Sequence, residues 1–392
     1  MRKATKVRLY PTAEEAVFLD GQFGAVRFCY NKGLALKKRF YDRTGANLSA
    51  KHDLKKLLPV AKKSRKYNWL GQYDSIALQQ ALINLDKAFQ NFFDLKVPAK
   101  FPKFKRKHGE QKSYHCVGVS VVENGIKIPK LKNPIRAVIH RPIEGEVKSI
   151  TLSKTFTGKY YASILVEDGV EHISPVDRVS AEKVKGYDLG LTHLLIDSSG
   201  NKVDNPRFLK RAAKNLKRKQ QALSRKQKGS MGRAKARLLV ANCHEKIANA
   251  RNDFQHKLSR RMVDENQAII LETLKVKNMI KNRKLAKHIA DASWGSLVQK
   301  LEYKAKERGR HLVKIDQWFA SSKTCSCCGF KVEELPLDVR HWGCPNCSAR
   351  HDRDINAGIN IRQRGIVELK AAGLVVSADR GLRKSGEIPA AA

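Results

Sequence analysis

Two cysteine pairs near the C-terminus constrain this chain more than any other feature. Cys325-Ser326-Cys327-Cys328 and Cys344-Pro345-Asn346-Cys347 stand 15 residues apart. Each pair can close a tight knuckle whose backbone amides point at the sulfurs. Two knuckles together supply four thiolates in a tetrahedron, the closed geometry of a structural Zn²⁺ site. The spacing therefore predicts a zinc ribbon over residues 321–350, with Cys325, Cys328, Cys344 and Cys347 as ligands of one zinc ion. A redox dithiol or an iron–sulfur cluster is the alternative, and Cys327 could in principle replace Cys328. A tetrahedral site has no open position, so this metal shapes a module and catalyses nothing. Cys29, Cys116 and Cys243 are isolated in the chain and read as small buried apolar residues.

Charge narrows the partner. The chain of 392 residues carries 78 Lys and Arg against 37 Asp and Glu, a net charge of +41. Self-repulsion of that size calls for a polyanion. A membrane surface is the rival, but no apolar run approaches the ~18–20 residues of a spanning helix. "MRKATKVRLYP" has no hydrophobic stretch behind its charges, so it is not a secretory signal. We therefore expect a cytoplasmic, nucleoid-associated protein without membrane contact.

Periodicity organises the rest. A short strand should end at Pro11. Thr12 and Glu15 form a capping-box pattern that opens a helix to about Phe40. Residues 50–65 and 74–95 also show helical spacing, whereas 112–175 break into short alternating runs of an antiparallel sheet or small barrel. Between them lies "VPAKFPKFKRKHG", where Lys103, Lys105 and Arg106 interleave with aromatics as nucleic-acid-binding surfaces do. Phe28, Phe93, Trp294 and Trp342 read instead as packing residues. Two strands follow from "KGYDLGLTHLLIDSSGNKV". Pro206 then reads as a helix start, with Asp204 and Asn205 as cap candidates. Residues 206–262 look helical apart from "GSMG" at 229–232, and hold eighteen Lys and Arg against two acids, Glu245 and Asp253. That excess marks a phosphate-binding hairpin, with Lys217, Arg218 and Lys219 at its densest point. "QAIILETL" and "HLVKIDQW" are further strands, residues 293–309 an amphipathic helix, and "INAGINIRQRG" a last short helix. The tail from 366 to 392 has little periodicity, and poor order is expected there.

Three acids lie in or beside apolar elements: Asp188 in "GYDLGL", Glu272 in "IILETL" and Asp354 in "HDRDINAGIN". A carboxylate in such a place is costly unless something pairs it. Singly, each could be a structural acid, and Asp354 could be a helix N-cap. Jointly, acids from two strands and a helix start can converge on one sheet face. Three carboxylates there cannot all stay ionised without cations, which suggests two Mg²⁺ or Mn²⁺ ions. Such a pair can hydrolyse a phosphodiester.

The blocks "GYDLGLTHLLIDSSG", "ARNDFQHKLSRRMV", "IILETLKVKNMIKNRKLAKHIADASWG", "SSKTCSCCG", "WGCPNC" and "HDRDINAGINI" together resemble, in order, those of the TnpB proteins. These are transposon-encoded RNA-guided endonucleases related to the type V CRISPR effectors. The resemblance spans residues 1–365 or so. It implies a multidomain chain mixing α and β elements. An RNase H-like RuvC nuclease domain would occupy 179–320 and 351–365 and carry the ribbon as an insert. A helical recognition lobe (21–96) and a small antiparallel β-barrel (1–20 and 97–178) would precede it. It implies Asp188, Glu272 and Asp354 as catalytic metal ligands, and selects Asp354 over Asp352 because the family's acid immediately precedes the "INA" step. It further implies a guide RNA derived from the transposon end, double-stranded target DNA with a short flanking motif read near Gln79, and a monomeric protein. Ala320 and Gly358 depart from the commoner proline and alanine. A regulator that binds without cutting and a transposase are the rival functions.

Overall fold

The structure is a computed structural model and describes residues 2–107, 112–171, 173–336 and 338–377. It divides into two compact units, residues 1–171 and 172–392.

In the first unit strand β1 (Arg2–Leu9) leads into helix α1 (Ala13–Thr44). The capping box forms as expected: Glu15 N donates to Thr12 Oγ1 (3.3 Å) and Thr12 N to Glu15 Oε2 (2.8 Å). Gly45, at φ 69°, ends the helix. A π-helical turn (Ala50–Leu54), α2 (Lys55–Lys63) and α3 (Ser75–Phe93) follow. Strands β2 (Ser113–Cys116), β3 (Ser120–Val122), β4 (Gly125–Lys127), β5 (Ile135–Val138), β6 (Glu146–Lys154) and β7 (Tyr160–Glu167) come next. With β1 they form a seven-stranded antiparallel sheet in the order β2-β6-β7-β1-β5-β4-β3. Leu19, Leu34, Leu78 and Leu85 of the helices share one core with Ile126, Ile150, Leu152 and Ile164 of the sheet. Residues 13–20, assigned to the barrel from sequence, are thus the first turns of α1, and helices and sheet pack as one body.

The second unit opens with β8 (Arg178–Val179), whose first residue is the one expected to close the barrel segment. Strands β9 (Val184–Asp188), β10 (His193–Asp197) and β11 (Lys202–Asp204) follow. Helices α4 (Phe208–Ser224) and α5 (Met231–Glu265) make the basic hairpin. After β12 (Ala268–Glu272) come α6 (Val276–Met279), α7 (Ala286–Ala292), α8 (Trp294–Glu307) and β13 (His311–Ile315). The ribbon hairpin β14 (His341–Gly343) and β15 (Arg350–Asp352), helix α9 (Arg353–Ala371) and β16 (Val375–Val376) complete the chain.

The central sheet runs β11-β10-β9-β12-β13, with β9, β12 and β13 parallel and β10 and β11 antiparallel. This is the expected RNase H-like order. Strand β12 explains its own unbroken apolar run. Ile269 and Leu271 join Leu258, Val263, Leu297 and Leu301 of α5 and α8 on one face. Ala268 and Ile270 join Ile361 and Leu369 of α9 on the other. A strand covered on both sides has no reason to alternate.

Helix α9 lies against this sheet almost backbone to backbone. A Cβ on Gly186 would meet the Gly358 carbonyl oxygen at 2.3 Å and Arg362 N at 2.4 Å, and one on Gly365 would meet Ile270 Cγ2 at 2.3 Å. A Cβ on Gly358 would lie 3.2 Å from the Asp197 carbonyl and Ser198 N, a tight fit that glycine avoids.

Three expectations need correcting. Helix α4 begins at Phe208, after Arg207 in the left-handed conformation (φ 48°), and Asp204 and Asn205 do not cap it. Asp291 of α7 does: its carboxylate accepts from Leu209 N (3.0 Å) and Lys210 N (3.3 Å). The last helix runs on to Ala371, because Leu369 is buried in the core, and β16 pairs with β8. The segment expected to be poorly ordered is therefore structured through 376, and the rest of that expectation, from 378 on, lies outside the described residues. Phe93 is not a core residue; it is 70% exposed. Cys29, Cys116, Cys243 and Trp294 are buried as expected.

Gly186→Ala should destabilise the second unit by at least the ~1–3 kcal/mol of an overpacked core, since backbone blocks the new methyl. Urea melts would show this. Gly24→Ala, whose Cβ meets only a side-chain nitrogen at 3.8 Å, should be neutral or stabilising by up to about 1 kcal/mol.

Candidate active site and metal centre

The four predicted thiols come together. The sulfurs of Cys325, Cys328, Cys344 and Cys347 all lie within 4.8 Å of one another. Cys325 Sγ is 3.7 Å from Cys347 Sγ, and Cys328 Sγ is 3.6 Å from Cys344 Sγ. Zinc–sulfur bonds of ~2.3 Å imply tetrahedron edges of ~3.8 Å, so the cage has the dimensions of a structural zinc site. The two knuckles are built alike. Gly329 N donates to Cys325 O and Ser348 N to Cys344 O, both at 2.9 Å, and both residues take positive φ (78° and 59°). Cys327 is exposed and outside the cage.

Sequence reasoning missed the link between this cage and the acids. Strand β15 pairs with β14 and runs directly into α9. Its His351 places Nε2 3.0 Å from Cys325 Sγ and packs its ring, tilted, 4.8 Å from that of Trp342. From inside α9, Asn356 Nδ2 donates to Thr324 O (2.7 Å) and Asn356 Oδ1 accepts from Ser326 N (2.9 Å). Asn360 Nδ2 also donates to Thr324 O (2.6 Å). Two buried amides thus clamp the first knuckle to the helix that carries Asp354.

Asp188 and Glu272 end neighbouring parallel strands. The register pairs Leu271 with Tyr187, which sets the two acids side by side where the strands stop. Leu189 N donates to Glu272 Oε1 (3.3 Å). Burial raises the Asp188 pKa well above the carboxylate range, and the charges of Glu272 and Asp354 raise it further. Arg353 and Arg340 oppose this. Burial likewise raises Glu272, against the Leu189 amide and a hydrogen bond with Asp188. Asp354 sits in the first turn of α9, and Arg340 Nη1 donates to its Oδ1 (3.1 Å). The N-cap is Asp352, which accepts from Asp354 N and Ile355 N and pairs with Lys202 Nζ (2.6 Å). Asp352 is thus engaged with Lys202 and Asp354 with Arg340, and Asp354 lies close enough to Asp188 for its charge to raise that carboxyl.

The expected nucleic-acid contacts divide. Lys103, Arg106, Lys217 and Arg218 are exposed, and Gln79 and Lys219 are half-buried. Lys105 is tied down: its amide donates to Asn31 Oδ1 (2.8 Å), and its ammonium lies 4.2 Å from the Tyr30 ring centre. Nearby, Phe89, Phe92, Phe93 and Phe101 form an aromatic cluster, with Lys38 Nζ 5.4 Å above Phe101.

Comparison with known proteins decides the family. A protein of Streptomyces pristinaespiralis described as "Putative RNA-guided DNA endonuclease" is 40% identical over 370 residues, covering 93% of this chain and 90% of that one. The chain belongs to the TnpB family. The InsQ protein of Escherichia coli strain K12, of the same description, is 29% identical over 97% of this chain and 96% of its own. Family models match in three places: "Probable transposase" at residues 163–283, "Cas12f1-like, TNB domain" at 294–361 and "Helix-turn-helix domain" at 1–46. In this TnpB protein residues 1–46 are a strand and one long helix. Among solved structures the chain is similar in fold to that of a Cas12f1–sgRNA–target DNA complex (TM-score 0.54, 13% identity, 92% of this chain and 98% of that one). Among the described residues no helix is long and apolar enough to cross a membrane.

Two outcomes follow from the site's electrostatics. Because the folded pKa of Asp188 is raised, ionising it costs stability, and the metal-free protein should lose stability as pH rises from about 4 toward neutrality and beyond. Asp188→Asn should therefore melt higher than wild type at pH 8, with the gap closing near pH 5; melting at both pH values checks this. Purified protein should carry one zinc per chain by elemental analysis. Chelation or Cys344→Ser should expose the ribbon to protease, and Cys327→Ser should not.

Proposed function

We propose that this chain is an RNA-guided DNA endonuclease whose hydrolytic centre is Asp188, Glu272 and Asp354. The convergence of three acids at the ends of β9 and β12 and the start of α9 carries this reading. The raised pKa of Asp188 is the physical sign that the cluster is short of cations. Two Mg²⁺ or Mn²⁺ ions held there would activate water and offset the charge of the scissile phosphate. The residues' part is to present carboxylate oxygens at one sheet edge. Burial keeps bulk water from screening them. Arg340 and Arg353 limit the repulsion among them while no substrate is bound.

The rest of the machinery divides by chemistry. The exposed cations of the α4–α5 hairpin, Lys217 and Arg218 among them, track phosphates, joined by Lys219. Lys103 and Arg106 do the same beside the exposed phenylalanines, which offer faces for base stacking. Lys105 serves by holding that segment to α1. The guide is RNA from the transposon end. It reads double-stranded target DNA by base pairing, while the protein reads a short flanking motif near Gln79, as other RNA-guided nucleases divide the task. The relatives of this description and the Cas12f1 complex support RNA and DNA as partners. We infer a monomer on each RNA, in the cytoplasm at the nucleoid.

The decisive experiment incubates RNA-loaded protein with matched DNA and Mg²⁺. Wild type should cut. Asp188→Ala should lose at least a thousandfold in rate while binding RNA and DNA as before; undiminished cutting by that variant defeats the assignment. Joined rather than hydrolysed ends would favour the transposase that one matched model is named for.

A further inference from the structure

Trp318 has no structural task. It is 81% exposed, more than any other aromatic side chain among the described residues, whereas Trp294 in the same unit is 2% exposed. A ring of this size in water is normally covered or put to use.

Its position suggests which. Strands β12 and β13 run parallel, and their last paired residues are Glu272 and Ile315. Thr273 Oγ1 donates to Ile315 O (2.7 Å), so the two chains leave the sheet side by side. Trp318 lies three residues beyond Ile315, and Lys275 three beyond Glu272. Three residues reach at most ~10 Å, so both backbones stay beside the acid cluster. A turn fixes the tryptophan: its amide donates to Asp316 Oδ1 (2.6 Å), and Phe319 N donates to Asp316 O (3.3 Å). Lys275 Nζ lies 5.9 Å from the indole ring centre. Beyond Lys275 the chain adds Lys277, Lys281, Arg283, Lys284 and Lys287 before its next acid, Asp291.

We propose that Trp318 and Lys275 form a subsite for the single strand entering the acid cluster, with a nucleobase stacked on the indole and the adjoining phosphate paired with the ammonium. The inference rests on the nuclease reading. A flat, exposed π face on a backbone held by a turn, beside a row of cations, has the two parts of a sequence-tolerant single-strand site, stacking and phosphate attraction. The subsite would hold a flanking nucleotide so that the neighbouring phosphate stays on the acids. Trp318 is on this account a positioning residue.

Stacking worth ~1–3 kcal/mol per base corresponds to a loss of roughly fivefold to a hundredfold in kcat/KM for Trp318→Ala. Trp318→Phe should keep most of the activity and Trp318→Leu should not. Melting should be unchanged in all three, since the ring is exposed. Lys275→Ala should lose less and flatten the salt dependence of binding. The discriminating test uses RNA-loaded protein and DNA carrying one abasic nucleotide at successive positions beside the cut. In wild type one position should slow cleavage; in Trp318→Ala that abasic position should add nothing. Equal effects of the abasic site in both proteins, or an unchanged kcat/KM for Trp318→Ala, overturn the subsite. A second arm is independent of cutting. In the Asp188→Ala background a short single-stranded DNA should quench tryptophan emission, and Trp318→Phe should abolish the quench. Cleavage without such a quench removes the subsite and leaves the nuclease. A quench that Trp318→Phe abolishes, in a protein that never cuts, keeps the binding site and removes the nuclease.

Discussion

The second unit depends on how closely α9 lies against β9. At Gly186 there is no room for a methyl group between strand and helix, since a Cβ there would meet the Gly358 carbonyl and Arg362 N at 2.3 and 2.4 Å. Arg362 ties the same seam by donating from Nε to Val184 O and from Nη2 to Ala181 O. This approach brings the first turn of α9, and Asp354 with it, to the end of the sheet where Asp188 and Glu272 stop. A helix held a side chain's width further out would leave the third carboxylate beyond the reach of the other two.

The zinc-type cage belongs to the same construction. Strand β15 leads from the second knuckle into α9, and Asn356 and Asn360 hold carbonyl groups around the first knuckle. Both amides are buried, so an unmade hydrogen bond there would be expensive. Order in the cage is thus transmitted to the start of the helix. The contiguity of "CPNC" and "HDRD" has a mechanical sense: the four-cysteine cage braces the start of the helix that carries Asp354.

The acid cluster is itself unfavourable for folding. Burial raises both Asp188 and Glu272; the charges of Glu272 and Asp354 raise Asp188 further, and Arg353 and Arg340 offset only part of that. A purely structural site would replace such acids with apolar groups or pair them fully. Asp352 and Asp291 show what structural acids look like here, each capping a helix and each with its own cation. Asp188 and Glu272, whose burial raises their pKa values, differ from these two, and that difference supports the functional reading.

Local chemistry was legible in the residues alone. The cage followed from CxxC spacing, the first helix start from Thr12 and Glu15, and the mixed α and β fold class from the resemblance. Distant chemistry was not. Pro206 suggested the start of α4, but the cap is Asp291, more than eighty residues away, which no local pattern reveals. The last helix outran its apparent periodicity because Leu369 finds its core in strands placed by earlier sequence. The helical segment and the barrel read from sequence as separate parts pack their side chains into one core, a contact between distant segments that no local pattern reveals. Sequence by itself determined which groups could bind metal or phosphate, since that is a property of side chains and short spacings. Only the tertiary structure decided which acids meet and which are spent on caps, because that depends on backbone packing between segments far apart in the chain.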